Sequence, residues 1–317
     1  MKICLALWAT LALSALGCAK SDAGTAATSP RAETSPVAQV EAPPKAPPAS
    51  GVIVVSDAGF ATPESVLHDV EADVYLVSNI HGNPLEADGN GFISRVTPEG
   101  TVAELKWIDG AQGGVTLNAP KGMAIVGDVL YVTDLDHVRR FDRKTGQPKG
   151  AVKVEGATFL NDLCAGKDGS VYVSDSGLTT GFAPSGTDAV HLITGDKATP
   201  LVRSAEMGRP NGLLCDGDRI WVVTFGSGEL YAVGADGKIT DRIKPEKGQL
   251  DGLERAPDGQ FLFSSWEGKA IYKGAPGGPF TAIVTGVEAP ADIGWDATRK
   301  RVLIPLFNGH ALQFHAL

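Results

Sequence analysis

Arg209-Pro210-Asn211-Gly212-Leu213-Leu214-Cys215 joins a proline, a polar residue and a glycine to a short apolar run. The same shape recurs at Pro63-Glu64-Ser65-Val66-Leu67, Pro120-Lys121-Gly122-Met123, Leu160-Asn161-Asp162-Leu163-Cys164, Leu250-Asp251-Gly252-Leu253 and Pro290-Ala291-Asp292-Ile293. Aligned on the second residue, these segments give a column: Glu64, Lys121, Asn161, Asn211, Asp251, Ala291. Four of its six positions carry an oxygen donor. Three of the five steps along the column are 40 residues, which matches the period of about 40–50 residues in β-propeller repeats.

The sequence between column positions supports that reading. From Gly51 onward apolar residues alternate with polar ones in short runs, and Gly/Asp pairs punctuate them, as expected of many short strands. Residues 210–243 make the clearest unit. Runs at 213–215, 219–224, 229–233 and 238–243 are separated by Asp216-Gly217-Asp218, Phe225-Gly226-Ser227-Gly228 and Gly234-Ala235-Asp236-Gly237. Four antiparallel strands joined by tight turns form one propeller blade. Six repeats predict an all-β, six-bladed β-propeller over 51–317. The last repeat holds only three strands, so Val52–Val55 is expected to complete it and close the ring, removing exposed sheet edges. Longer loops at 80–91 and 177–186 follow second strands and are expected to overhang the column.

The 317 residues include 39 glycines and 20 prolines, with a formal net charge of -9. That acidity, with no basic-aromatic patch, excludes a nucleic-acid partner. Lys2, the apolar run 3–16 and Gly17 read as a signal peptide over 1–17, too short for the roughly 20 residues of a membrane span. Ala15-Leu16-Gly17-Cys18 resembles a bacterial lipoprotein box, which makes Cys18 the lipid attachment site. Residues 18–50 are rich in Pro, Ala and Ser and form an unstructured tether. The expected address is the cell envelope, lipid-anchored in the periplasm or at the outer membrane. Cys164 and Cys215 sit on apolar strand segments; two cysteines give no framework spacing, and two buried free thiols are expected rather than a disulfide.

In a propeller the starts of successive first strands converge on the central channel. Glu64, Asn161, Asn211 and Asp251 would then form an all-oxygen, doubly negative site suited to a hard divalent cation, calcium first. Asn211-Gly212 and Asp251-Gly252 also fit turns taken singly, but a turn does not require an amide or carboxylate at one column position in four blades. Asp251 is a candidate general base as well as a ligand; His81 and Asp175 are further catalytic candidates at the same rim. Lys121 either attracts an anionic substrate or points to solvent. Asp162 and Asp292, one place past the column, are expected to brace loops, and Trp266-Glu267 to shape the pocket wall.

Glu64-Ser65-Val66-Leu67-His68-Asp69, Asn161-Asp162, Pro210-Asn211-Gly212-Leu213 and Leu250-Asp251-Gly252-Leu253 resemble the signature segments of the senescence marker protein/gluconolactonase/luciferin-regenerating enzyme family. The resemblance runs through all six repeats, roughly 52–317. It implies that Glu64, Asn211 and Asp251 hold a catalytic divalent metal and that Asn161 faces metal and substrate. Val66-Leu67-His68 stands where the family has Pro-Val-Trp, and the arginine with which the family grips sugar acids has no counterpart. The expectation is a metal-dependent hydrolase of lactones or related esters acting on a small-molecule substrate. The alternative is a non-catalytic propeller binding a protein or carbohydrate partner around a structural metal.

Overall fold

The structure, a computed structural model, describes residues 51–317. The expected signal peptide, the expected lipid site Cys18 and the expected tether lie outside the described residues. Within them the chain forms six four-stranded antiparallel sheets. Blades one, two, four and five are each built from four consecutive strands, and in blade three a small hairpin, Leu178–Thr179 with Ala183–Pro184, interrupts the run between its second and third strands. The first strands of blades one to five are Pro63–Asp69, Pro120–Val126, Leu160–Ala165, Pro210–Asp216 and Leu250–Arg255. Blade six orders Gly294–Asp296, Arg301–Leu306, Ala311–Ala316 and then Val52–Val55, with Val52 opposite His315 and Val55 opposite Leu312. The one helical piece among the described residues is a 3-10 turn, Thr180–Phe182. No described helix is long and apolar enough to cross a membrane.

The apolar alternation explains where the core sits. Each blade is buried on both faces, so the core is divided among the seams between neighbouring blades. Ala124 and Val138 of blade two meet Leu160 and Val173 of blade three. Leu262 and Ile271 of blade five meet Ile293 and Val302 of blade six. Val66 and Val77 of blade one meet Leu303 and Phe314 of blade six, so the last seam is packed like the others. Polar contacts reinforce it: Tyr75 Oη donates to Asp296 Oδ2 at 2.5 Å, and Arg299 Nη2 pairs with Asp73 at 2.7 Å. Truncating a fully buried seam residue such as Leu160 to Ala costs about 2–5 kcal/mol, because the facing blade cannot collapse into the gap.

Cys164 and Cys215 form a disulfide with Cα atoms 5.5 Å apart, contrary to the expectation of free thiols. The reason is geometric. Their separation of 51 residues is close to one repeat, so the two lie on first strands of adjacent blades, which run side by side around the channel. Repeat spacing, rather than cysteine spacing alone, carries the signal.

Candidate functional site

Every first strand of blades one to five bulges at the column. Pro120 pairs with Asp134 and Met123 with Val132, so three steps on one strand face two on the other. The same extra residue occurs between Leu160 and Leu163, Pro210 and Leu213, Leu250 and Leu253, and Pro63 and Ser65. A bulge re-aims the side chain it carries, here the column residue. Asn211-Gly212 and Asp251-Gly252 are therefore strand bulges rather than turns. Their glycines serve close approach: a Cβ on Gly212 would lie 2.3 Å from the Asp251 carbonyl oxygen, and one on Gly252 2.3 Å from the Ile293 nitrogen. At these two positions the neighbouring blade comes so close that only a residue without a side chain fits.

Hydroxyls lock the column backbone. Thr133 Oγ1 donates to the Asn161 carbonyl at 2.5 Å, Ser174 Oγ to that of Asn211 at 2.7 Å, and Ser264 Oγ to that of Ala291 at 2.8 Å. Each donor sits in the preceding blade, one place before the end of its second strand. Sequence reasoning missed this ladder, although Ser78, Thr133, Ser174 and Ser264 occupy one repeat position.

Glu64, Lys121, Asn161, Asn211 and Asp251 come together as lining residues of one cavity of about 310 Å³. All five are buried. Glu64 Oε2, Asn211 Oδ1 and Asp251 Oδ1 accept no hydrogen bond despite their burial. The other Asp251 oxygen is held by Trp266 Nε1 at 2.8 Å, and the Asn161 amide donates to Ser176 Oγ at 3.1 Å. Burial, and then the negative charge of Asp251, push Glu64 well above the usual carboxylate range; burial and the Asp292 charge do the same to Asp251. Unpartnered buried acceptors are costly, and three from three blades in one cavity are a set that a hard cation would satisfy. Among the described residues no three His, Cys, Asp or Glu side chains cluster as metal ligands. A cation here would rest on two carboxylates and the amide oxygens.

Lys121 does not point to solvent. It is 1% exposed, its Nζ donates to the Ala119 carbonyl at 3.1 Å, and it lies 4.4 Å from the Phe159 ring centre. Burial lowers it to about 8, with the Glu64 charge opposing. His81 lies on an exposed loop with Nδ1 3.2 Å from the Asn90 carbonyl and an edge contact to Phe92. Asp175 is fully buried and accepts from the backbone N–H of Phe159 at 2.9 Å and Gly177 at 3.0 Å. Asp134 braces blade two in the same way, through Asn118 and Ala119. Neither His81 nor Asp175 lines the cavity.

Asp162 and Asp292 do brace. Asp162 accepts from the Leu213 N–H at 2.7 Å and Asp292 from Ser65 Oγ at 2.5 Å. With Glu254 they line a second channel cavity. Burial and the Asp292 charge raise Asp162 and lift Glu254 to about 8, and burial lifts Asp292 to about 7.

Both long loops reach the first cavity, through Ile80 and Pro84 from one and Leu178 and Phe182 from the other. Phe225, Trp266 and Phe307 complete an aromatic wall. Trp266 was legible in the sequence as a wall residue; Phe225 and Phe307, at the same repeat position, were not singled out.

The fold and site define a six-bladed propeller with an oxygen-donor column at one mouth of its channel. A gluconolactonase from Xanthomonas campestris is similar, with TM-score 0.62 at 20% identity, covering 83% of this chain and 88% of the other. A structural-genomics target provisionally assigned as a gluconolactonase gives 0.63 at 17% identity, covering 84% and 92%. Virginiamycin B lyase from Staphylococcus aureus gives 0.55 at 14% identity, covering 84% and 99%. At these identities the likeness is one of fold. No known family profile and no curated protein sequence matches the chain.

Proposed function

We propose that this propeller is a divalent-metal-dependent hydrolase of lactones or related esters, with calcium as the metal. The observation that carries this reading is the trio of buried, unpartnered oxygens on Glu64, Asn211 and Asp251 at the floor of one cavity. The gluconolactonase-like fold neighbours support the substrate class.

Glu64, Asn211 and Asp251 would hold the ion, with Asn161 facing ion and substrate. The bound metal would supply Lewis acidity toward a carbonyl and lower the pKa of a water. The chain does the rest. Trp266 fixes one Asp251 oxygen and so orients the other. Lys121 balances the Glu64 charge and offers N–H donors to an oxyanion in a site shielded from water. Asp251 keeps the proton-accepting role, because Asp175 is committed to backbone N–H groups. Cys18 would anchor the protein to a membrane through its lipid, and 19–50 would act as the tether. A disulfide between neighbouring blades suits an oxidising envelope compartment.

The test is a panel of lactones and aryl esters assayed with and without chelator, alongside metal analysis of the purified protein. One ion per chain, hydrolysis lost with chelator and restored by calcium, and loss in Glu64→Gln and Asp251→Asn are expected. Hydrolysis unaffected by chelator overturns the metal's role. A bound ion without turnover of any substrate favours the non-catalytic propeller.

A further inference from the structure

The cavity over the oxygen column has a polar floor and an apolar wall. The residue after each second strand stands just outside the column, and in three successive blades it is aromatic: Phe225, Trp266 and Phe307. These rings touch in a chain. Phe225 and Trp266 lie 5.4 Å apart edge to face, and Trp266 and Phe307 lie 5.2 Å apart. The overhanging loop adds Phe182, which is 50% exposed. An exposed phenylalanine beside an aromatic arc extends the apolar surface toward solvent. A polyhydroxylated substrate would lose hydration against such a wall and regain few hydrogen bonds.

One cation interrupts the wall. Arg209 lines the cavity. Among the described residues its guanidinium makes no hydrogen bond and no close ion pair, although the Asp188 carboxylate that holds its backbone N–H lies near enough to feel its charge. Every other described arginine makes at least one: Arg95, Arg139, Arg140 and Arg143 with acidic partners, Arg203 with the Glu155 carbonyl, and Arg219, Arg242, Arg255, Arg299 and Arg301 with their own acceptors. The Arg209 backbone is held, its N–H donating to Asp188 Oδ2 at 2.7 Å. A fixed backbone and a fork of five donors that make no hydrogen bond within the chain suit a carboxylate.

We infer that the substrate is an amphiphilic ester or lactone. Its aromatic or alkyl part lies along Phe225, Trp266 and Phe307, and a carboxylate on it is held by Arg209. This inference rests on the proposed reaction site being this cavity, and binding tests it without turnover. The ligands are 4-phenylbutyrate, 4-phenylbutanol and D-gluconate, titrated calorimetrically into the calcium-loaded protein. Phenylbutyrate is expected to bind about ten- to a hundredfold tighter than phenylbutanol, the range of one charge-assisted bond, and gluconate to bind weakest. Arg209→Gln should bring phenylbutyrate down to phenylbutanol, and Phe307→Ala should weaken both.

Gluconate binding as tightly as phenylbutyrate overturns the inference. So does phenylbutyrate binding that survives Arg209→Gln but is lost in Asp251→Asn, because the carboxylate would then sit on the column. If these binding results hold while no ester is hydrolysed, the catalytic reading fails alone. If sugar lactones are hydrolysed in preference to aryl ones, the catalytic reading stands and the amphiphile falls.

Discussion

Trp266 donates its indole N–H to Asp251 Oδ2 at 2.8 Å, while Asp251 Oδ1 has no partner. The indole thus fixes the rotation of a carboxylate whose free oxygen lines the cavity. Groups that orient a ligand in this way typically change metal affinity about 10–100-fold when removed. Trp266→Phe keeps the aromatic wall and deletes the bond. It should weaken calcium binding by that factor, read by calorimetry, with the circular dichroism spectrum unchanged. Unaltered affinity would mean that Asp251 is not a ligand.

Two buried groups should tilt stability with pH in opposite directions. Burial lifts Asp292 to about 7. The folded state then keeps a proton that the unfolded chain loses near pH 4, so this contribution to stability falls as pH rises from about 4 to 7, by about 4 kcal/mol in total. In Asp292→Asn that slope should become shallower, the raised Glu254 and Asp162 supplying what remains, so that the variant gains on the parent as pH rises from 4 to 8. Burial lowers His191 to about 4, and neither ring nitrogen has a partner. Here the unfolded chain takes the proton first, so stability is lost as pH falls from about 6.5 to 4, by about 3 kcal/mol. His191→Leu should flatten that limb. Urea midpoints of the three proteins across pH 4–8 check both signs.

The Cys164–Cys215 bridge closes a loop with a sequence separation of 51. Chain-entropy reasoning makes it worth about 4 kcal/mol. Replacing both cysteines with serine should lower the urea midpoint accordingly, and reductant should destabilise the parent but not the variant. Equal stability of the two proteins would mean that the bridge constrains little.

The blades were legible because turn chemistry and two-residue alternation repeat along the chain, and the column was legible because its polar residues recur at one place in each repeat. What the sequence did not display has a physical reason. Gly212 follows Asn211 because the Asp251 carbonyl of the next blade passes 2.3 Å from where a Cβ would stand, a contact that exists only between blades. Asp175 carries the chemistry of a general base, but backbone N–H groups occupy it. The matching Asp134 in blade two could have pointed to that. Cys164 and Cys215 are neighbours only across blades. Arg209 drew no notice as a side chain, because being unpaired is a property of surroundings that sequence does not list.

The first and last described strands share one sheet, Val52 facing His315. A toroid assembled this way has no privileged origin. A circular permutant cut in an exposed turn such as Gly217-Asp218, with Leu317 spliced to Gly51 through a short linker, would rebuild the same ring. Because each oxygen donor comes from a different blade, the permuted protein would keep its floor intact, whereas deleting any single blade would destroy it.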